Sequence, residues 1–255
     1  MIEVKNLYKY FNNQEVLSDI CTQFEEGKTN LIIGQSGSGK TVLMKCLIGL
    51  YKAEKGSILY NGRDLHNIGK KEYELILQEM GVLFQGSALF DSMTVEENVK
   101  FPLTMLTNQT EKEKTMRASF CLERVNLPNA HKLYPSQISG GMKKRVAIAR
   151  AIALNPRYLF CDEPNSGLDP KTSLVIDHLI HEITAEYNIT TIVNTHDMNS
   201  VMEIGDTISF IYQGHLWWKG TNNEILHTNN AEVNDFVYAS KYAKAMFATQ
   251  QRQQQ

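Results

Sequence analysis

Gly34-Gln35-Ser36-Gly37-Ser38-Gly39-Lys40-Thr41 follows the apolar run Leu31, Ile32, Ile33 and opens a segment with helical character. Only main chain can approach a triphosphate closely, so a cradle for one needs residues without bulk. Gly34, Gly37 and Gly39 supply them. Successive N–H groups at the start of a helix point inward, where the macrodipole also favours negative charge. Lys40 can then reach the β- and γ-phosphates, and the Thr41 hydroxyl can ligate Mg²⁺. The stretch predicts a strand, a phosphate loop and a helix that together bind a nucleoside triphosphate.

Outward from this loop, the first third of the chain reads as strands: Ile2–Phe11, Val16–Phe24 and 30–33, with a turn at Glu26-Gly27-Lys28. A helix is expected from about Thr41 to Leu50. Asn61-Gly62 between Ser57–Tyr60 and Arg63–Leu65 suits the type I′ turn of a hairpin, and Met80–Phe84 is a further short strand. From about Asp91 to Leu154 the pattern is helical, with Thr94-x-x-Glu97 and Thr110-x-x-Glu113 as capping boxes. Strands return at 157–161, 190–194, 207–212 and 215–219, with a helix over 172–187. Alternation of this kind predicts an α/β core with a largely parallel sheet, interrupted by a helical lobe.

The composition excludes several classes. With 255 residues, 42% of them apolar, the chain can bury a full core. A net charge of −2 gives no basic field to attract nucleic acid. Cys21, Cys46, Cys121 and Cys161 are scattered, which fits reduced thiols in a cytosolic compartment better than a disulfide or zinc framework. No apolar run approaches the ~18 residues needed to cross a bilayer, and the start lacks a signal-peptide core. Any membrane role is expected to run through a partner.

Tyr158-Leu-Phe-Cys-Asp162-Glu163 is an apolar strand ending in two carboxylates. Ligands gather at the carboxyl edge of a parallel sheet, so Asp162 is the expected Mg²⁺ partner and Glu163 the group that polarises the attacking water. Strand-end acids are common, and this pair gains its weight from standing some 120 residues after Lys40. Ile138-Ser139-Gly140-Gly141-Met142-Lys143 precedes an amphipathic helix carrying Val146, Ile148, Ala149, Ile152 and Ala153. Ser139 reads either as an ordinary N-cap or as the start of a second helix aimed at an anion.

Taken in order, the phosphate loop, Leu83-Phe84-Gln85, Ile138–Met142, Asp162-Glu163, Ser166-Gly167-Leu168-Asp169 and Thr195-His196 resemble the nucleotide-binding domain of ABC transporters. The resemblance covers nearly the whole chain. It implies a P-loop NTPase (RecA-like) α/β core with an antiparallel β subdomain and an inserted helical subdomain. The core would span about 1–88 and 155–230, the helical part about 89–154 and a C-terminal extension about 231–255, with a disordered tail at 250–255. It implies Mg²⁺-dependent ATP hydrolysis. By the same resemblance, nucleotide contacts would run from Gly34 and Ser36 through Val42, and Gln85 would touch Mg²⁺ or the lytic water and relay nucleotide state to a membrane partner. His196 would bond the γ-phosphate, Asp169 would brace the subunit interface, and Phe11 would stack on adenine, with Tyr10 and Tyr8 as alternatives. A homodimer is implied, in which Ser139, Gly140 and Gly141 of one copy reach the γ-phosphate held by Lys40 of the other.

Within the family, Met142 stands where Gln is common and Asn165 where Thr is frequent. Ser-Gly-Gly-Met and the segment Leu83–Pro102, with its Gly86-Ser87 order, resemble the ATPases of Mla-type (MCE-linked) phospholipid transport systems. That likeness implies a polytopic permease partner and an MCE-type lipid-binding protein, with this chain on the cytoplasmic face of the inner membrane. Leu89, Phe90 and Val95 are candidates for the groove that meets the permease. Alternatives are ATPases for lipoprotein release, amino-acid uptake or efflux, and soluble ABC ATPases. The last group departs in carrying coiled-coil insertions or two domains per chain. Val233, Phe236, Val237, Ser240, Ala243 and Phe247 form a helical stripe that packs on its own domain or reaches a neighbouring subunit.

Overall fold

The computed structural model describes residues 1–239. Strands β1 (Ile2–Phe11) and β2 (Gln14–Phe24) form a hairpin, followed by β3 (Thr29–Ile33), the phosphate loop and α1 (Lys40–Leu47). Next come β4 (Lys55–Tyr60), β5 (Arg63–Asp64), α2 (Lys70–Gln78) and β6 (Met80–Leu83). Three longer helices follow: α3 (Val95–Leu106), α4 (Glu111–Arg124) and α5 (Gly140–Ala151), with a 3-10 turn at Pro135–Gln137. The remainder alternates as β7 (Tyr158–Asp162), α6 (Pro170–Glu186), β8 (Thr190–Asn194), α7 (Met198–Ile204), β9 (Thr207–Tyr212), β10 (His215–Gly220), α8 (Asn222–Ile225) and α9 (Ala231–Val237).

Two sheets result. The antiparallel one has the order β2-β1-β4-β5, and the other runs β10-β9-β3-β8-β7-β6 with every pairing parallel except that of β10 with β9. This is the P-loop α/β architecture with an antiparallel β sheet that the resemblance implies. Strands β3 and β8 are buried along their whole length, as parallel strands covered on both faces must be. Asn30, a polar residue inside β3, is accommodated because its amide meets the carbonyls of Glu25, Lys28 and Thr191 and its oxygen accepts from Glu25 N and Thr207 Oγ1.

Local chemistry explains most boundaries. Asn61 and Gly62 both take positive φ (47° and 82°), as a type I′ turn requires, and Tyr60 pairs with Arg63 across it. Both capping boxes form, with Glu97 N and Glu113 N each donating to a threonine Oγ1 at 3.3 Å. Helix α2 is an addition to the sequence reading, since residues 66–79 carry only one buried apolar position on that helix, Ile76. Helix α1 ends earlier than expected, at Leu47, because Gly49 turns left-handed (φ 77°).

Helices α6 and α7 are tied together below the loop that follows β7. Asp177 of α6, 1% exposed, accepts from Ser200 Oγ of α7 at 2.8 Å, and Asn165 Nδ2 donates to the same hydroxyl at 3.1 Å. Burial pushes the Asp177 carboxyl up to about 6. The folded chain therefore keeps this proton where the unfolded chain has lost it. Its contribution to stability falls as pH rises from about 4 through about 6, and the cost is complete above that. Asp177→Asn should gain stability over the parent by about 2–3 kcal/mol on going from about pH 4 to pH 7.5. Urea midpoints across that range measure the difference, and a pH-independent one would contradict the assignment.

Candidate functional site

The phosphate loop leaves β3 in the middle of the parallel sheet. Gly34 (φ 146°) and Gly39 (φ 108°) are required on two counts, since a Cβ would lie 2.2 Å from Ile211 O at the first and 2.8 Å from Leu17 Cδ2 at the second. Lys40, 7% exposed, folds back across the loop and donates to Gly34 O at 2.8 Å and Gln35 O at 3.0 Å. Burial pushes its pKa down, and the Glu163 and Asp162 carboxylates oppose that shift. Among the described residues the buried Ser38 Oγ has no hydrogen-bond partner, an arrangement that suits a loop built to receive an oxyanion. Ser36 is exposed on a cavity of about 510 Å³ that also takes in Gly34, Gln35, His196, Asp235 and Phe236. The Val42 side chain packs on the core beneath the loop.

Three loops meet at this sheet edge. Thr41 opens α1, Asp162 closes β7 and Asn194 closes β8. The Asn194 amide nitrogen donates to Thr41 Oγ1 at 3.3 Å and to Asp162 Oδ1 at 2.5 Å, so a hydroxyl and a carboxylate flank one buried side chain. This donor set suits Mg²⁺, which binds through one or two carboxylates and completes its shell with phosphate oxygens and water. Sequence reasoning passed over Asn194. Its signal is an amide directly after the apolar pair Ile192-Val193.

Glu163 takes a left-handed conformation (φ 49°), and its N–H donates to Asn194 O at 2.9 Å. The turn aims the carboxylate at His196, whose Nδ1 lies in hydrogen-bond reach of Glu163 Oε1 at 2.9 Å. Thr195 N donates to Ile32 O, which fixes the histidine loop beside the strand that feeds the phosphate loop. Phe11, 38% exposed at the end of β1, meets Tyr51 edge-on at 5.3 Å and lies under the Lys9 ammonium at 4.9 Å. Tyr8 lies under the Lys55 ammonium instead.

Other predicted residues are placed apart from this cluster. Ser139 caps α5 by accepting from Met142 N at 3.2 Å, and Gly140 and Gly141 form its first turn. Among the described residues no hydrogen bond or cavity joins Ser139, Gly140 or Gly141 to the phosphate loop. Gln85 lies exposed after β6, and its carbonyl accepts from Lys144 Nζ and from Ser166 Oγ. Asp169 caps α6 through Thr172 N at 3.0 Å.

An apolar cavity of about 440 Å³ opens between β6 and the helical lobe, lined by Phe84, Ala88, Phe90, Phe101, Pro102 and Arg150 among others. Of the three residues expected in a groove, only Phe90 lines it. Val95 is fully buried in the core, and Leu89 packs against that core. Val233 and Val237 of the terminal stripe are likewise buried in their own domain, with Phe236 against Phe210. Ser240, Ala243, Phe247 and the tail at 250–255 lie outside the described residues.

The ABC transporter family profile matches residues 17–166. The chain is 37% identical over 236 residues to the probable ribonucleotide transport ATP-binding protein mkl of Mycobacterium leprae, covering 92% of this chain and 68% of that protein. It is 34% identical over 258 residues to the methionine import ATP-binding protein MetN of Campylobacter jejuni, covering 95% and 77%. Identity to the intermembrane phospholipid transport system ATP-binding protein MlaF of Haemophilus influenzae is 36% over 237 residues, covering 93% and 90%. The fold superposes on a dimeric post-hydrolysis state of the ATP-binding cassette MJ0796 bound to ADP and Pi, with a TM-score of 0.78 and 29% identity over 87% of this chain and 99% of that one. With that profile over more than half of its length and relatives of this identity, the chain belongs to the ABC transporter family and is one of its ATPases.

Proposed function

We propose that this chain works as a homodimeric, Mg²⁺-dependent ATPase that drives phospholipid movement through a membrane permease. The observation carrying the hydrolytic part is the convergence of Thr41, Asp162, Glu163 and His196 around Asn194. Triphosphate oxygens would replace the two loop carbonyls as partners of Lys40, and the loop N–H groups would hold the β-phosphate. Thr41 and Asp162 would hold Mg²⁺, which when bound neutralises charge on the phosphate oxygens. Glu163 takes the proton of the water that attacks the γ-phosphorus, the bond to the ADP oxygen breaks, and the His196 ring hydrogen-bonds the departing phosphate.

The separation of Ser139–Gly141 from the phosphate loop supports the dimer, since those donors serve a γ-phosphate only when another copy presents it. Among the described residues no helix is long and apolar enough to cross a membrane. The apolar cavity beside β6 would take a cytoplasmic helix of the permease, which leaves the chain peripheral on the inner face of that membrane. Phospholipid as cargo rests on the likeness to MlaF, on Met142 and on the Leu83–Pro102 segment, and an MCE-type protein would complete the assembly.

Glu163→Gln should bind ATP as the parent does, accumulate as an ATP-bound dimer in light scattering, and release phosphate about 10²–10⁴-fold more slowly. Parental turnover would remove Glu163 from the mechanism. Phe90→Asp places a charge in the apolar cavity and should cut recovery of the permease in detergent pull-downs by about tenfold or more, a loss of at least ~1.4 kcal/mol of binding. Mass spectrometry of the recovered complex should find phospholipid, and stimulation by methionine or a ribonucleotide in place of lipid would reassign the cargo.

A further inference from the structure

Lys144 stands on α5, five residues after Ser139, and is 4% exposed. A buried ammonium is costly unless its three N–H donors find acceptors. This one finds three: Gln85 O, Glu163 O at 3.4 Å and Ser166 Oγ at 3.3 Å. Ser166 Oγ in turn donates to Gln85 O at 3.3 Å, which closes the cluster. One side chain therefore joins helix α5, the segment after β6 and two points of the loop that follows β7.

The bond to Glu163 matters because of the backbone there. A non-glycine residue held in the left-handed region costs about 1–3 kcal/mol and persists only where its surroundings over-determine it. Glu163 is anchored on both sides: its N–H on Asn194 O and its carbonyl on Lys144. The same helix restrains a second strained turn, since Arg150 donates to Ser87 O and Ala88 O, both at 2.7 Å, and those residues have φ of 62° and 47°. Ala88 and Arg150 also line the apolar cavity beside β6. Helix α5 thus holds the cavity wall at Arg150 and the carboxylate turn at Lys144, with Gln85 O between them.

We infer that Lys144 is a positioning residue: by holding the carbonyls of Gln85 and Glu163 together, it sets the aim of the Glu163 carboxylate and makes that aim follow the segment that lines the docking cavity. The inference rests on Glu163 as general base. Without Lys144 the left-handed turn keeps its N–H anchor and loses the other, so the carboxylate drifts from its line to His196 and the γ-phosphate. The phosphate loop is held by separate contacts and retains its grip on nucleotide.

A double-substitution cycle on the full-length chain tests this, using Lys144→Met, Glu163→Gln and the combination, with steady-state and single-turnover phosphate release as readouts. Lys144→Met should lower kcat by about 10–100-fold, the scale of a small misplacement at the reacting centre. KM for ATP should stay within about threefold, because uniform binding is untouched. Added to Glu163→Gln, the same substitution should cost less than about twofold, since the residue through which it acts is already gone. Lys144→Arg, which keeps charge and donors, should recover part of the rate. If Lys144→Met fails to fold, Lys144→Gln runs the same cycle. Unaltered kcat, a KM rise that carries the whole loss, or multiplicative losses in the double variant would overturn the inference. Parental turnover in Glu163→Gln alone would instead sink the general-base reading.

Discussion

Parallel pairing of β8 with both β3 and β7 is the constraint on which the site depends. Asn194 stands opposite Ile32 on one side and opposite Asp162 on the other. The three loops that leave these strands therefore start at one level of the sheet. From that level a single amide reaches Thr41, 153 residues away in sequence, and Asp162, 32 residues away. A shift of one residue in this register would turn Asn194 to the opposite face and break both bonds. The apolar burial of β3 and β8 makes such a shift prohibitive, because it would also exchange every side chain between the two covered faces.

A second constraint is stored in backbone conformation. Glu163, Ser87 and Ala88 are left-handed without being glycine, and they lie in the loop after β7 or in the segment after β6. Each has a carbonyl held by a cation from α5. Strain of this kind is retained where geometry matters more than stability. Its distribution here follows the functional surfaces: the carboxylate on one side of the helix and the wall of the apolar cavity on the other. Asp177, buried below the same loop with Ser200 and Asn165, adds a third site where a polar group is kept at some cost to the fold.

What could be read from the chain alone divides along physical lines. The phosphate loop was legible because glycines at fixed spacing have a backbone meaning that no tertiary context alters. The capping boxes and the Asn61-Gly62 turn were legible for the same reason, since their partners lie three residues away or fewer. Asn194 and Lys144 were not, because their roles are set by strand register and by a helix crossing, neither of which leaves a local mark. Lys143, Lys144 and Arg145 are three cations in a row, and the middle one is among the most buried cations of the described residues. Val95 failed in the opposite sense: an apolar residue offered as a surface contact is core, because the helix that begins there turns that side inward.

Helix α5 is where these strands of argument join. Its start exposes Ser139 and Gly140 as donors that nothing among the described residues uses. Four to five residues further along, Lys144 grips the Glu163 carbonyl, and six beyond that, Arg150 grips the cavity wall. A helix of twelve residues is stiff over this length, so its ends cannot move independently. On the dimeric reading, a γ-phosphate presented by the opposite copy pulls on the first turn, and a permease helix in the cavity pulls on the last. Both loads reach Glu163 through one buried ammonium. Nucleotide closure and partner engagement would then be felt at the same carboxylate, without any contact between the nucleotide of the opposite copy and the permease itself.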